Sequence, residues 1–174
     1  YAHPIIYLFL GGFMLAIAVE KSGLHLWIAR KMLGIFPASG RGIVLSLAVT
    51  SGLMSSILSN TTTALLLMTI ALFLSEDPRL KMRFTLAIAY GASVGGILTP
   101  IGTPPNLILL GIMEEQGMEM IPFVQWMWMV APLALVMVVV ISLVLGIGLK
   151  DVRLERPEEH KTLTSDQKKI VAVL

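Results

Sequence analysis

The chain has 174 residues, of which 56% are hydrophobic and only 14% charged. A soluble domain carries about 25% charged residues, so this composition asks for lipid around the chain, and the mean hydropathy of +0.84 agrees. The net charge of +2 is small and its basic residues lie between apolar runs, which argues against a nucleic-acid partner; the absence of cysteine excludes disulfides, zinc-thiolate sites and thiol nucleophiles.

The predicted elements run as follows. Pro4 to Val19 is a first apolar segment, ended by Glu20 and Lys21. Ser22 to Phe36 mixes Leu24, Trp27, Ile28 and Leu33 with His25, Arg30 and Lys31, the pattern of an amphipathic helix lying at a membrane interface. His3 and His25 read as interfacial anchors. Pro37-Ala38-Ser39-Gly40 is a turn. Gly42 to Ser75 then holds no charge, yet Ser59-Asn60-Thr61-Thr62-Thr63 sits near its middle. The apolar runs on either side, Ile43 to Leu58 and Ala64 to Leu74, each fall short of the roughly 20 residues a spanning helix needs. Half-length helices meeting at polar residues are how a transporter builds a site at membrane depth.

Glu76-Asp77-Pro78-Arg79 is a polar turn. Phe84 to Leu98 runs into a second break, Thr99-Pro100-Ile101-Gly102-Thr103-Pro104-Pro105-Asn106, and Asn106 to Met113 continues beyond it. Pro104 and Pro105 have no N–H for the Pro100 and Ile101 carbonyls, and Pro100 has none for Gly96. Thr103 followed by Pro104 reads as an N-cap and first helical position. Glu114, Glu115 and Glu119 lie in a solvated loop rather than a metal cluster. Phe123 to Leu149 is a transmembrane helix, with Trp126 and Trp128 as an aromatic belt.

Topology follows from the basic residues. Lys21, Arg30, Lys31 and Arg41 precede the Ser-Asn-Thr segment, Arg79, Lys81 and Arg83 follow it, and Lys150, Arg153 and Arg156 follow the last helix. If residues 42–75 enter and return, all three clusters share the cytoplasmic side, as the positive-inside rule prefers. The segment is therefore expected to be a re-entrant hairpin, its tip buried in protein or lining a cavity. At that tip, the N–H groups opening the second half-helix suit an anion, Asn60 can donate to an anion or offer its oxygen to a cation, and the carbonyls ending the first half-helix suit Na⁺. Ser55, one turn before Ser59, can add an oxygen. No Asp, Glu, His, Lys or Cys lies in the apolar runs near Asn60, which argues against an enzyme. A channel built on the hairpin remains an alternative to a carrier.

At these residues the sequence resembles the divalent anion/sodium symporters, the carriers of dicarboxylates, citrate and sulfate. Ser59-Asn60-Thr61 is similar to that family's hairpin signature, and Gly95-Gly96 with Thr99 to Asn106 resembles the loop that interrupts its fifth helix. The resemblance is specific over about residues 41–113. It implies an all-α, multi-pass protein of the inner or plasma membrane, of which this chain is a fragment of the first of two inverted repeats. Residues 1–37 would end a scaffold through which the protein forms a homodimer. Residues 38–149 would belong to the moving domain, with the hairpin at 41–75, the broken helix at 82–113 and a transmembrane helix at 123–149. Residues 150–174 would be a cytoplasmic linker and the start of another segment. Ser55, Ser59, Asn60 and the Gly102 carbonyl would hold Na⁺, and Asn60 and Thr61 would contact a substrate carboxylate, with no organic cofactor. The implied function is sodium-coupled symport of a di- or tricarboxylate or sulfate by alternating access; the alternative on the same fold is a sodium-independent anion exchanger. The chain reads as an internal fragment, with half the site on the second repeat.

Overall fold

The computed structural model describes residues 21–149 throughout, with residues 7, 10, 11, 14, 17–19 and 152 besides. The expectations for most of the first apolar segment, for His3, for the His25 and Arg30 side chains and for the tail fall outside those residues. Among the described residues all regular structure is helical: α1 (Leu24–Ile35), α2 (Gly40–Ser55), α3 (Asn60–Phe73), α4 (Pro78–Leu98), α5 (Pro104–Glu115) and α6 (Phe123–Leu145).

Local chemistry sets the boundaries. Ser39 stops the turn after Pro37 and caps α2, its hydroxyl accepting from the Gly42 N–H at 3.2 Å. Asp77 caps α4 by accepting from the Arg79 N–H at 2.8 Å, with Pro78 in the first helical position. Helix α6 ends at Leu145, four residues earlier than the apolar run, because Gly146 caps it and Gly148 turns the chain at φ +76°. At 16 and 14 residues, α2 and α3 are about 24 and 21 Å long, short of the roughly 30 Å hydrocarbon layer. Among the described residues α6 alone, with 23 residues and a mean hydropathy of 2.7, is long and apolar enough to cross a membrane.

The core forms where α2, α3 and α4 meet. Leu47, Leu67, Phe84 and Ile88 are fully buried there. The α2–α4 contact is made by small residues, and it is very close. A Cβ on Gly95 would stand 2.0 Å from the Gly52 carbonyl oxygen, and one on Gly91 would stand 2.5 Å from that of Ala48. Two apolar helices in lipid gain from such backbone approach because lipid competes fully for larger apolar side chains. Helix α1 packs on α2 and α3 through Leu24 and Ala29, while exposed Lys31 lies over the Trp27 ring at 4.8 Å from its centroid.

Helix α6 lies across α2 and α4 and buries only Trp126 and Ala134. Its C-terminal carbonyls are taken by two arginines from elsewhere in the chain. Arg41, at the start of α2, donates from Nε to the Gly146 carbonyl at 2.9 Å. Arg83, in the second turn of α4, donates from Nη1 to the carbonyls of Leu145 and Ile147. Two cations thus meet the negative end of the α6 dipole. The starts of α2 and α4 consequently lie at the same end of α6.

Trp126 is placed differently from its sequence expectation. It is 6% exposed and donates its indole N–H to the Ile97 carbonyl at 3.0 Å, so it is a buried strut and no part of an aromatic belt. Trp128 is 77% exposed. The periodicity of an apolar helix start cannot tell these two apart.

Candidate functional site

The tip between α2 and α3 is built from the end of α2 outward. Leu58 donates its N–H to the Met54 carbonyl at 2.8 Å and plugs its side chain into the core. Ser59 then takes an extended conformation and caps α3. Its hydroxyl accepts from the Thr62 N–H at 3.1 Å and donates to the Thr62 hydroxyl at 2.8 Å. The helix therefore restarts at Asn60, one or two residues before the start near Thr61 or Thr62 that the sequence suggests. Thr63 sends its N–H to the Ser59 carbonyl. Among the described residues, the amides of Asn60 and Thr61 have no such partner, so they carry the exposed positive end of α3. Thr61 is exposed and Asn60 half-buried.

Ser55 and Asn60 are brought together across the turn. The Ser55 hydroxyl, fully buried, donates to the Asn60 Oδ1. Asn60 in turn lies flat against the backbone of α4: a Cβ on Gly96 would stand 2.5 Å from Oδ1 and 2.9 Å from Nδ2. Glycine at 96 is what lets the amide approach.

The break between α4 and α5 meets the tip from the other side. Gly102 packs on the same glycine, and a Cβ there would stand 2.6 Å from the Gly96 carbonyl oxygen. Thr99 donates its hydroxyl to the Ser56 carbonyl at the end of α2. The carbonyls that end α4 are satisfied by side chains from two other helices. Gly96 and Thr99 accept from the Asn106 Nδ2, each at 2.9 Å, and Ile97 accepts from Trp126. Gly102 closes the turn by donating its N–H to Thr99 at 3.2 Å. Among the described residues no hydrogen bond reaches the carbonyls of Pro100, Ile101 or Gly102.

Two features differ from the sequence reading. Gly96, freed by Pro100, has a donor after all in Asn106. Thr103 occupies the N-cap position of α5 but makes no side-chain cap bond, and the Asn106 N–H is used by the Thr103 carbonyl at 3.2 Å. With Pro104 and Pro105 in its first turn, α5 offers a dipole but no free amide there. Of the expected site residues, Ser55, Asn60 and the Gly102 backbone converge around Gly96. Ser59 stands beside them with its hydroxyl committed to capping, and Thr61 faces outward. In the sequence reading Thr99 and Asn106 are only the bounds of the break, and Trp126 is only a member of the aromatic belt. The only signal for Asn106 was its place six residues after a proline that orphans a carbonyl.

Every polar group in this cluster is an uncharged hydroxyl, amide or backbone group. Oxygens from the breaks between α2 and α3 and between α4 and α5 meet here, an arrangement of the kind found where membrane transporters handle ions and substrates. Comparison with known proteins agrees. The citrate transporter family model matches residues 1–173, and this chain belongs to that family. It is 32% identical over 151 residues to the sodium-dependent dicarboxylate transporter SdcS of Staphylococcus saprophyticus, covering 79% of this chain and 29% of that protein. It is 35% identical over 152 residues to SdcS of Staphylococcus aureus strain USA300, with the same coverage of each. The chain thus spans less than a third of the length of these relatives. The resemblance to the divalent anion/sodium symporters is borne out.

Proposed function

We propose that this chain is the first-repeat portion of a multi-pass secondary transporter that couples Na⁺ entry to uptake of a di- or tricarboxylate by alternating access. The observation that carries the reading is the meeting of the hairpin tip with the helix break at Gly96. The Ser55 hydroxyl, Asn60 Oδ1 and the Gly102 carbonyl supply neutral oxygens of the kind that replace water around Na⁺, and Ser59 completes the set through its backbone. The exposed amides of Asn60 and Thr61, with the Asn60 Nδ2, offer donors to a substrate carboxylate at the positive end of α3. A cation on one side of Asn60 and an anion on the other would favour each other.

The shared end of Arg41 and Arg83 on α6 supports the re-entrant reading of 41–75. With the half-length helices α2 and α3 between those two starts, the arrangement fits a segment that enters and returns. The second repeat would complete the site, and the scaffold would form the dimer. The relatives' name, sodium-dependent dicarboxylate transporter, supports both the ion and the substrate class.

The test is uptake of radiolabelled succinate and citrate by the full-length carrier in proteoliposomes, with Na⁺ or choline outside. Asn60→Ala is expected to abolish uptake at normal expression and assembly. Misfolding of Asn60→Ala would make Asn60 a structural bridge, and equal wild-type uptake in choline would replace symport by sodium-independent exchange.

A further inference from the structure

Thr99 is bonded on both sides. Its hydroxyl donates to the Ser56 carbonyl of the hairpin, while its carbonyl accepts from Asn106 of α5 and from the Gly102 N–H. Asn106 is 8% exposed and spends both hydrogens of one amide nitrogen, on Gly96 and on Thr99. One side chain therefore replaces the backbone donor that Pro100 lacks and ties the end of α4 to the restart at α5. Gly96, the residue so held, is the one against which both Asn60 and Gly102 pack. No part of this set is charged, and Thr99 and Asn106 are both buried, so each bond is made away from competing water.

We infer that Thr99 and Asn106 are positioning residues: they form a clamp that sets the Gly102 carbonyl at a fixed place relative to Asn60. The clamp acts through backbone and touches neither ion nor substrate. It rests on the reading of Ser55, Asn60 and Gly102 as the cation ligands, since that is the site it would align. Without it, among the described residues, the 99–103 turn has the Gly102-to-Thr99 bond alone and three unbonded carbonyls at Pro100, Ile101 and Gly102. Such a turn can rotate its peptides, and the oxygen set around the cation would have to be ordered at each binding event.

The experiment uses the full-length carrier, cysteine-free, with the single reporter Ile101→Cys. Thr99→Val removes the hydroxyl at constant shape, and Thr99→Ser restores it. Asn106→Leu removes both amide donors. Two quantities are read: the rate at which the reporter reacts with a maleimide, and the Na⁺ concentration giving half-maximal substrate binding. The expected result is faster labelling in Thr99→Val and Asn106→Leu, together with a rise of about 10-fold in half-saturating Na⁺, the equivalent of one buried hydrogen bond lost. Thr99→Ser should match wild type in both. Unchanged labelling in Thr99→Val overturns the clamp, and faster labelling with unchanged Na⁺ dependence overturns its positioning role. If wild-type binding ignores Na⁺ while Thr99→Val still speeds labelling, the clamp stands and the sodium reading falls. Should Asn106→Leu fail to assemble, the Thr99→Val and Thr99→Ser pair decides.

Discussion

Glycines at the contact between the hairpin and α4 differ in what a methyl group would meet, and the difference is testable. On Gly95 the new Cβ would stand 2.0 Å from the Gly52 oxygen, so the backbones of α2 and α4 must separate. On Gly52 the nearest atom is the Gly91 oxygen at 3.3 Å. Gly95→Ala should therefore cost about 1–3 kcal/mol, the range for overpacking a tight interface, and Gly52→Ala much less. Thermal unfolding of the full-length carrier in detergent checks the order; equal effects would mean that the two helices are not held this closely. Gly96→Ala is a different case. Its Cβ meets the end of the Asn60 side chain, which can swing away. The fold should survive, with substrate and Na⁺ affinity both lost, because Asn60 is displaced from Ser55. Normal affinity in Gly96→Ala would remove Asn60 from the site.

Each half-length helix is held by a neighbour rather than by its own length. Helix α2 is bound along its small-residue face to α4, and its first turn is tied to α6 through Arg41. Helix α4 carries Arg83 to the same place. This arrangement predicts sidedness. Cysteines replacing Arg41 and Arg79 should both react with an impermeant maleimide added on the cytoplasmic face, and neither from outside. Labelling from opposite faces would make 42–75 a crossing, and the tip would no longer be a binding site at depth. The exposed residues Glu114, Glu115 and Glu119, at the far end of α5, should label from the opposite face to Arg79 when replaced in the same way.

The whole carrier should show linkage between ion and substrate. The proposed cation ligands come from the hairpin and from the broken helix, two segments joined at Gly96, so a bound cation would order both. Substrate at Thr61 then meets a surface already formed. Coupling of this kind is reciprocal, and a change of about 5–150-fold in affinity is typical. Substrate binding titrated at several Na⁺ concentrations, with choline as replacement, should tighten by a factor in that range. Na⁺ affinity should rise by the same factor when substrate is saturating. Identical substrate affinity with and without Na⁺ would reject the coupled site.

Much of this was legible without coordinates. Membrane residence follows from charge depletion alone. The two breaks follow from residue chemistry: hydroxyls and an amide in the middle of a charge-free stretch, and three prolines that cannot donate. Ser59 as a cap and Pro104 as a helix start are local effects, decided within one turn of chain. The contacts of Asn60 with Gly96, of Thr99 with Ser56 and of Asn106 with two carbonyls are not local, and no pattern in the sequence ranks one buried polar side chain over another. Trp126 shows the same limit, since a tryptophan at a helix start can face lipid or reach inward, and only the position of α4 decides. A chain dictates its own broken helices through missing donors and short apolar runs; which groups answer those missing donors depends on how the helices pack, because a hydrogen bond needs a partner that distant segments bring within reach.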